Sequence, residues 1–431
     1  MSAVVKETPN IKFQPMTEAG GCGSGPVSVE PYVSQQWYEL ERERVFRRAW
    51  LCMGRVEQMP GPDTWMTKEV EICGALVLIT RDANDEVRAF HNVCSHRQNM
   101  IVREPYGEGK RLFCRYHNWA YANTGECIGI PDIKNFFNVD KSQCGLSPIA
   151  CDVWQGWVFI NLQKEPEVSL LEFLGPYAEA YDGMPYPFAD NAFEVVSNLK
   201  VNWKQIADAF AESYHVSAIH PATIGSTFAS ERLNPFGRPL SGTAYGLHRA
   251  IATFGNPDYE PPEHAHVEKL AYANIDTGNV LGGTDTGALR DLINHPAANP
   301  TKEPTWGADV SWLFPNFNID YGPGGFWTHE FWPTSVNTTR WLMRVHVPVA
   351  ENVRMRLMQE HFAARFAEVM LEDVTNTERQ QKAMESGAKT QVLLQDGEFM
   401  IRHNLETLGK WVRSDSVREA MGLDDACRAA G

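Results

Sequence analysis

Two short cysteine and histidine motifs constrain this chain more than any other feature of its sequence. One residue separates Cys94 from His96, two separate Cys114 from His117, and 17 residues lie between His96 and Cys114. Two thiolates and two imidazoles can hold a tetrahedral Zn²⁺, or a [2Fe–2S] cluster with both cysteines on one iron and both histidines on the other. The spacing therefore predicts a metal site assembled from two segments that lie close together in the sequence.

The arrangement of the motifs favours the iron–sulfur cluster over zinc. A zinc finger places its histidines together near the end of a helix, whereas each motif here has one cysteine and one histidine and follows a β run. The pattern resembles the Rieske domain, and Arg97 and the run Tyr116-His117-x-Trp119 resemble the Rieske domains of ring-hydroxylating oxygenases. This resemblance implies one [2Fe–2S] cluster per chain, with four ligands: Cys94, His96, Cys114 and His117.

The resemblance also implies a low reduction potential for the cluster. Respiratory Rieske proteins have an extra cysteine in each loop, and Asn99 and Tyr116 stand at the corresponding positions here, so their disulfide is not possible. Fewer polar contacts to a cluster imply a lower potential. Gln98, Arg115 and Asn118 replace the glycine, proline and glycine that are usual in the oxygenases, and these differences concern loop geometry and the docking surface rather than ligation.

A second metal site is indicated further along the chain. We predict one helix over Asn202–His220, on which His215 and His220 are five residues apart, or about 140° around the axis. These two imidazoles converge only if the helix ends or loosens near His220, and Pro221 gives it a reason to end there. Two histidines and one carboxylate form the facial triad of non-haem iron oxygenases, which leaves open positions on the metal.

The carboxylate is predicted on a long helix over 353–386. An apolar stripe at helical spacing runs along this helix and consists of Phe362, Phe366, Val369 and Met370. Asp373 lies on the stripe, where a carboxylate is costly unless it is paired or bound to a metal. The pair Glu372-Asp373 resembles the acidic pair from which Rieske oxygenases take their third ligand, and helical phase turns Glu372 elsewhere. The mononuclear Fe(II) ligands are therefore predicted to be His215, His220 and Asp373.

Two acidic residues before His215 are further candidates for the catalytic machinery. In the family that the chain resembles, an acidic residue at the position of Glu212 bridges an iron histidine and a Rieske histidine of a neighbouring subunit. The resemblance thus implies that Glu212 links His215 to His117 of the neighbour. Asp208 stands where many relatives have asparagine, and either an outer role at the iron or a salt bridge would account for it.

The pattern of elements predicts an α+β fold. Short β runs with turn signals from Val56 to Gln163 indicate a small all-β unit, and strands over 312–321, 325–334 and 338–347 precede the long helix. The resemblance implies a Rieske-type all-β [2Fe–2S] domain and a helix-grip catalytic domain, an antiparallel sheet crossed by a long helix. The expected domains are an N-terminal arm and helix of the catalytic domain over 1–55, the Rieske domain over 56–165 and the catalytic domain over 166–431.

Composition and charge exclude other classes of function. The chain of 431 residues has a formal net charge of −15, which argues against nucleic-acid binding because that binding depends on lysine and arginine. Its apolar runs are strand-sized and far shorter than the roughly 20 residues of a membrane helix. The first residues have no basic start followed by an apolar run, so we expect a cytoplasmic protein without a membrane association.

The family resemblance implies the catalytic α subunit of a terminal oxygenase. Its partners would be a reductase or a ferredoxin that supplies electrons from NAD(P)H, and O₂ and a hydrophobic small molecule would be its substrates. Such subunits form homotrimers, and some relatives also have a small β subunit. Aromatic-ring dihydroxylation is the first hypothesis. A monooxygenase or dealkylase acting on an aromatic, steroid-like or quaternary-amine substrate is the second, and a Rieske electron carrier with a non-catalytic second domain is the third.

Overall fold

The structure, a computed structural model, describes residues 11, 13–188, 191–261, 263, 265–272, 287–322 and 325–424. The chain forms two compact units. The small unit comprises the described parts of Glu39–Phe173 and Trp411–Gly431, and the large unit those of Met1–Tyr38 and Leu174–Lys410. The domain boundaries at residues 55 and 165 stay predictions.

The small unit is built mainly from antiparallel strands. Its seven-stranded sheet has the order β2-β11-β10-β5-β4-β3-β6, and a three-stranded sheet has the order β7-β8-β9. Its strands are β2 (Leu51–Arg55), β3 (Thr64–Val70), β4 (Ala75–Arg81), β5 (Val87–His91), β6 (Tyr106–Glu108), β7 (Arg111–Phe113), β8 (Ala120–Ala122), β9 (Cys127–Gly129), β10 (Pro148–Trp154) and β11 (Trp157–Asn161). Single 3₁₀ turns lie at Val56–Gln58, Glu71–Cys73, Ile133–Asn135 and Lys141–Gln143, and a π-helical segment at Glu41–Phe46.

The large unit contains a second seven-stranded antiparallel sheet, with the order β12-β18-β17-β16-β15-β14-β13. Its strands are β12 (Ala192–Leu199), β13 (Ser241–Tyr245), β14 (His248–Phe254), β15 (Trp306–Leu313), β16 (Phe317–Gly322), β17 (Gly325–Ser335) and β18 (Thr338–His346). A separate pair joins β1 (Val27–Ser28) to β19 (Gln391–Val392). Strands β16, β17 and β18 are buried along most of their length, although they carry polar residues such as Asp320, His329 and Glu330.

Helices complete the fold. They are α1 (Met16–Ala19), α2 (Glu30–Val33), α3 (Gln35–Leu40), α4 (Leu170–Leu174), α5 (Pro176–Ala180), α6 (Trp203–Asp208), α7 (Val216–Ile219), α8 (Gly225–Phe228), α9 (His266–Tyr272), α10 (Gly287–Asn294), α11 (Val353–Glu385), α12 (Phe399–Arg413) and α13 (Val417–Ala420), with a 3₁₀ turn at Asp396–Glu398. No helix among the described residues is long and apolar enough to cross a membrane.

Helix α11 is the longest element, with 33 residues, and it positions the second candidate site. The Asn352 side chain caps its first turn by accepting a hydrogen bond from the Met355 N–H at 2.9 Å. Gly387, with a φ of +70°, follows its last turn, in the left-handed conformation that commonly ends helices. The helix packs against β12, α6, α7 and α9, so its buried face meets the elements that carry the two candidate histidines.

The predicted α+β fold class is confirmed, since a mainly β Rieske-type unit and an antiparallel sheet with a long helix are both present. Two predicted elements are wrong. The strand over 312–321 is two strands, because Phe314-Pro315-Asn316 forms a turn between β15 and β16. The helix over Asn202–His220 is two short helices, α6 and α7, with irregular backbone between them.

Candidate metal centres

The two motif loops of the small unit have the same backbone hydrogen-bonding pattern. The Cys94 N–H donates to the Asn99 carbonyl at 2.9 Å, and the Cys114 N–H donates to the Trp119 carbonyl at 2.9 Å. In return, the carbonyls of the two cysteines accept hydrogen bonds from the N–H groups four residues later, at Gln98 and Asn118. Each loop therefore closes on itself and presents its cysteine and histidine from a rigid turn.

Both loops turn through a residue with positive φ. Gln98 has a φ of +55° and Asn118 a φ of +60°. Asparagine tolerates this left-handed conformation better than most residues, and glutamine has no comparable advantage. The two positions where the oxygenase pattern usually has glycine are thus the positions where this chain has a left-handed backbone.

The four predicted cluster residues lie together. Cys94 and Cys114 are both buried, in one core cluster with Trp119 and Tyr121. The imidazole rings of His96 and His117 have centroids 4.5 Å apart. The buried Nδ1 of His96 has no hydrogen-bond partner among the described residues, as expected for a ring nitrogen left for a metal. The donor set and its geometry therefore fit a cluster with two thiolate and two imidazole ligands.

Both cysteine sulfurs have polar neighbours. The Tyr121 hydroxyl lies 3.2 Å from Cys94 Sγ, and the Asn99 side-chain amide lies 3.6 Å from Cys114 Sγ. Burial raises the pKa of the Cys94 thiol. At Cys114 burial acts in the same direction, but hydrogen bonds from the backbone at Tyr116 and from Asn99 outweigh it and lower the pKa. The environment of the second sulfur thus favours the thiolate, which is the form that binds metal.

In the large unit, the structure brings His215, His220 and Asp373 together. The Nε2 atoms of His215 and His220 lie 3.5 Å and 3.1 Å from Asp373 Oδ1. One donor atom from each residue falls within 4.8 Å of the others, so the three could hold one metal ion. His220 and Asp373 are 1% and 3% exposed, and His215 is partly buried with 20% of its side chain exposed.

Glu212 explains why the predicted single helix is interrupted before His215. Its Oε2 accepts hydrogen bonds from the backbone N–H groups of Tyr214 and of His215, the latter at 3.2 Å. A continuous helix would satisfy these N–H groups with carbonyls one turn earlier, and an acidic side chain that competes for them favours a turn instead. Its other oxygen, Oε1, contacts Nδ1 of His215. His220 is the C-terminal cap of α7, just before Pro221.

The electrostatics of the triad are those of a carboxylate held between two imidazoles. Burial alone would raise the pKa of Asp373, but hydrogen bonds with His215 and His220 outweigh it and lower the pKa. Burial would lower the pKa of His215, yet Asp373 and Glu212 raise it to about 10. The pKa of His220 is raised in the same way, by Asp373 and Glu372 against burial. The site therefore concentrates negative charge where a cation would replace protons.

Sequence reasoning missed the role of Glu372. It lies beside Asp373 on α11, and its Oε2 is 2.7 Å from Nδ1 of His220. The same oxygen accepts a hydrogen bond from the Thr223 hydroxyl at 2.6 Å. A signal was available, because a metal-binding histidine almost always has a partner on its other nitrogen, often a carboxylate.

Asp208 lies outside the triad. The Tyr32 hydroxyl donates a hydrogen bond to Asp208 Oδ2 at 2.6 Å. Burial raises the pKa of Asp208 to about 7, although Tyr32, Lys204 and Arg249 act in the opposite direction. Asp208, Glu212, His215 and Asp373 all line one groove in the large unit. The structure thus places Asp208 near the site without a direct contact to the three candidate ligands.

His215, His220 and Asp373 also line an apolar pocket. Most of its remaining wall is aromatic or aliphatic, including Phe210, Val310, Trp327, Phe362, Phe366 and Val369. Asp320 is an exception that sequence reasoning also missed. It is 3% exposed, and its Oδ2 lies 3.3 Å from His329 Nε2, while its Oδ1 has no hydrogen-bond partner among the described residues.

Two family models match the regions of the chain that contain these candidate residues. The family model for the ring-hydroxylating α subunit (catalytic domain) matches residues 178–414, and the model for the Rieske [2Fe–2S] domain matches residues 49–144. Solved structures share the fold. A quaternary ammonium Rieske monooxygenase has a TM-score of 0.71 at 17% identity, covering 94% of this chain and 100% of that one. Naphthalene 1,2-dioxygenase from Rhodococcus sp. has a TM-score of 0.71 at 19% identity, covering 91% and 95%.

Curated relatives match a shorter part of the chain. The carnitine monooxygenase oxygenase subunit of Escherichia coli (strain K12) is 30% identical over 194 residues, which are 44% of this chain and 50% of that protein. The 2-aminobenzenesulfonate 2,3-dioxygenase subunit alpha of Alcaligenes sp is 31% identical over 188 residues, 43% and 47% of the two chains. The chain thus spans about half the length of these relatives. Because the catalytic-domain model alone covers more than half of its residues, the chain belongs to the ring-hydroxylating α-subunit family of Rieske oxygenases.

Proposed function

We propose that the protein is the terminal oxygenase of a multicomponent system, which oxidises a hydrophobic substrate carrying a cationic amine. It would use O₂ and electrons from NAD(P)H, delivered by a reductase or a ferredoxin. The observation that supports an oxygenase is the convergence of His215, His220 and Asp373 at the wall of an apolar pocket. An electron carrier has no need for such a donor set beside a pocket, so this arrangement argues against the third hypothesis.

Two sets of residues would hold the cofactors of the family. The cluster ligands would be Cys94, His96, Cys114 and His117, and the mononuclear Fe(II) ligands would be His215, His220 and Asp373. A Rieske cluster supplies one-electron transfer, and the mononuclear iron supplies the activation of O₂. The protein's own contribution is to fix the imidazoles through carboxylates on their Nδ1 atoms, to exclude water with the aromatic wall, and to orient the substrate.

The pocket supports an amine substrate more specifically than a plain hydrocarbon. Aromatic rings attract a methylated ammonium group through their faces, and Trp327, Phe362 and Phe366 contribute three contacting rings to this wall. Burial raises the pKa of Asp320, and His329 opposes this shift. A cation in the pocket would stabilise the Asp320 carboxylate further, because an unpaired buried charge is costly. Arg365, which also lines the pocket, is already paired with Glu268.

The names of relatives support the same substrate class. Carnitine monooxygenase and glycine betaine monooxygenase oxygenase subunits are 30% identical to this chain over the matched segments. We therefore favour monooxygenation or N-dealkylation of a quaternary or tertiary amine. Ring dihydroxylation remains the second candidate, because the pocket wall is otherwise apolar and a dioxygenase α subunit is among the relatives.

A homotrimer is proposed from the family. Glu212 lines both the pocket and the groove, and its side chain is 10% exposed. We propose that it connects His215 to His117 of the neighbour. The oligomeric state is checked by light scattering during gel filtration, and a mass of three chains is expected.

The function is tested by metal analysis and single-turnover assays on the full-length protein purified without oxygen. About three irons per chain are expected, two in the cluster and one mononuclear. The protein is reduced chemically, mixed with O₂, and offered aromatic hydrocarbons and methylated ammonium compounds of similar size. Dealkylated or hydroxylated amine products support the proposal, and a cis-diol from a hydrocarbon without amine products contradicts the substrate class. Two irons per chain would indicate a carrier, and zinc without visible colour would refute the assignment.

Asp320→Asn sharpens this test. The substitution keeps the shape of the side chain and removes its charge, so we expect the concentration of amine needed for half-maximal turnover to rise about tenfold or more. Any uncharged substrate that is turned over serves as the control. The concentration of that substrate needed for half-maximal turnover should not change. An equal effect on charged and uncharged substrates would show that Asp320 maintains the pocket rather than recognising a cation.

A further inference from the structure

One imidazole of the candidate iron site is held from both sides by consecutive residues of α11. Asp373 Oδ1 lies 3.1 Å from Nε2 of His220, and Glu372 Oε2 lies 2.7 Å from its Nδ1. Neighbouring residues on a helix point about 100° apart, so two adjacent acidic side chains can reach opposite nitrogens of a ring that lies between them. The ring therefore has a fixed position, and its Nε2 edge points toward Asp373.

Glu372 is itself fixed by other contacts. The Thr223 hydroxyl donates to the oxygen that contacts His220, at 2.6 Å. The Thr223 carbonyl accepts a hydrogen bond from the Arg365 guanidinium, which also contacts Glu268 and lies 3.0 Å from the Tyr259 hydroxyl. Since Thr223 follows His220 in the same turn, Glu372 ties this turn to α11 at a defined distance. A carboxylate held in this way can orient the imidazole rather than merely follow it.

The contact also determines which ring nitrogen is available. A carboxylate oxygen only accepts hydrogen bonds, so the partner atom Nδ1 must carry the proton. Nε2 faces the carboxylate of Asp373, so a metal ion would take the place of the proton between these two atoms, while Glu372 keeps the proton on Nδ1. His215 has the equivalent arrangement, with Glu212 at its Nδ1. Each histidine thus has its own carboxylate, but Glu212 is the one for which the family suggests a function in electron transfer.

We propose that Glu372 is a positioning residue, which holds His220 in the Nδ1–H tautomer and so sets the affinity and geometry of the mononuclear iron site. This inference rests on the proposed function, since it assumes that His220 binds iron. Thr223 supports it by holding the carboxylate in place. Glu372 differs from the candidate ligand Asp373, because it acts through the imidazole and does not bind the metal.

The test measures metal binding to the full-length protein, after the mononuclear site has been emptied with a chelator and the cluster retained. Fe(II) affinity is measured by competition with a ferrous chelator, and Co(II) is used as a spectroscopic probe of ligand geometry. Glu372→Ala is expected to weaken Fe(II) binding about 10- to 100-fold, as is typical of lost outer partners. Glu372→Gln should weaken Fe(II) binding less, because its amide oxygen still accepts a hydrogen bond from Nδ1–H of His220. Thr223→Val should weaken Fe(II) binding less again.

Glu368→Gln is the matched control, because Glu368 lies one turn earlier on α11 and is exposed. It should bind Fe(II) as the wild type does, and the visible spectrum of the cluster should be the same in all variants. The Co(II) spectrum should change in Glu372→Ala and not in Glu368→Gln. Wild-type Fe(II) affinity in Glu372→Ala, or an unchanged Co(II) spectrum, would overturn the inference. A wild-type protein that takes up no metal at this site would instead refute the proposed function.

Discussion

The two candidate iron sites of this protein are built in opposite ways. The cluster site consists of two turns with the same hydrogen-bonding pattern, and all four of its ligands lie between Cys94 and His117. The mononuclear site joins two histidines around α7 to an acidic residue in the middle of α11, far away in the sequence. The first site is therefore encoded locally, while the second depends on tertiary packing.

This difference indicates which interactions each site depends on. The short loops of the cluster site are supported by their own backbone, so their side chains can vary, as Gln98 and Asn118 show. The mononuclear site is surrounded by carboxylates that orient its imidazoles, and its integrity depends on the packing of α11 against α6 and α7. Removing ligands from each site in turn tests whether the two are independent.

The largest effect is expected from Asp373→Ala. This variant should lose the mononuclear iron and all but a trace of turnover, more than the roughly 10- to 100-fold typical of outer partners, because two imidazoles alone do not complete the triad. Iron per chain and product formation are the measurements. The reciprocal variant, Cys94→Ser, should lose the visible cluster spectrum and keep the mononuclear iron. Loss of both sites in either variant would contradict their independence.

Glu212→Gln is expected to have the next largest effect. The amide can still accept from the His215 ring, so both metal sites should be filled, but the charged link proposed between the two sites is lost. We expect a cluster that is reduced normally and a strongly reduced turnover with substrate. Glu368→Gln provides a control on the same unit. Normal turnover in Glu212→Gln would show that this residue is not the link.

Two aspartates with shifted pKa values extend the comparison to stability. Burial raises the pKa of Asp208 to about 7, so its charged form is unfavourable in the folded protein. The free energy of unfolding should therefore fall as pH rises from about 4 to about 7, and Asp208→Asn should become more stable than the wild type over that range, by about 1–3 kcal/mol at pH 7. Urea unfolding at several pH values measures this difference. A difference that does not change with pH would contradict the prediction.

Asp82 of the small unit should behave in the opposite way. It is buried, but hydrogen bonds from Arg88 and from the backbone of Asn84 and Glu86 outweigh burial and lower its pKa. Its stabilising effect is present above about pH 4 and is lost as pH falls through the lower folded-state pKa. Asp82→Asn is therefore expected to be destabilised at pH 7 and less so in acid, which the same urea titrations measure.

The smallest effect is expected at the cluster itself. Tyr121→Phe removes the hydroxyl that lies 3.2 Å from Cys94 Sγ. A hydrogen bond to a ligand sulfur stabilises the more negative, reduced cluster, so the midpoint potential should fall in this variant. Spectroelectrochemical titration measures the potential, and Tyr116→Phe, which alters an exposed hydroxyl that contacts Arg97, is the control. Equal potentials in the two variants would contradict the expected tuning by Tyr121.

The locally encoded cluster site could be predicted from the sequence more completely than the mononuclear site, which depends on tertiary packing. The cluster residues could be predicted because cysteine and histidine at this fixed short spacing are typical of a metal site and of little else. His215, His220 and Asp373 were found through helical phase and family resemblance, although the helix predicted to carry the two histidines is interrupted by the carboxylate of Glu212. Glu372 and Asp320 were missed, because a single acidic residue has no local signature and acquires its role only from the residues that folding brings to it.

The uninterrupted course of α11 has a consequence for how this sequence can change. Because the helix runs for 33 residues and carries Glu372 and Asp373 near its middle, one residue inserted or deleted upstream within it would rotate both carboxylates by about 100°. Neither would then face His220. Length variation should therefore be absent from this helix in functional descendants and engineered chimeras. Helical register, rather than residue identity alone, is what such chimeras must preserve.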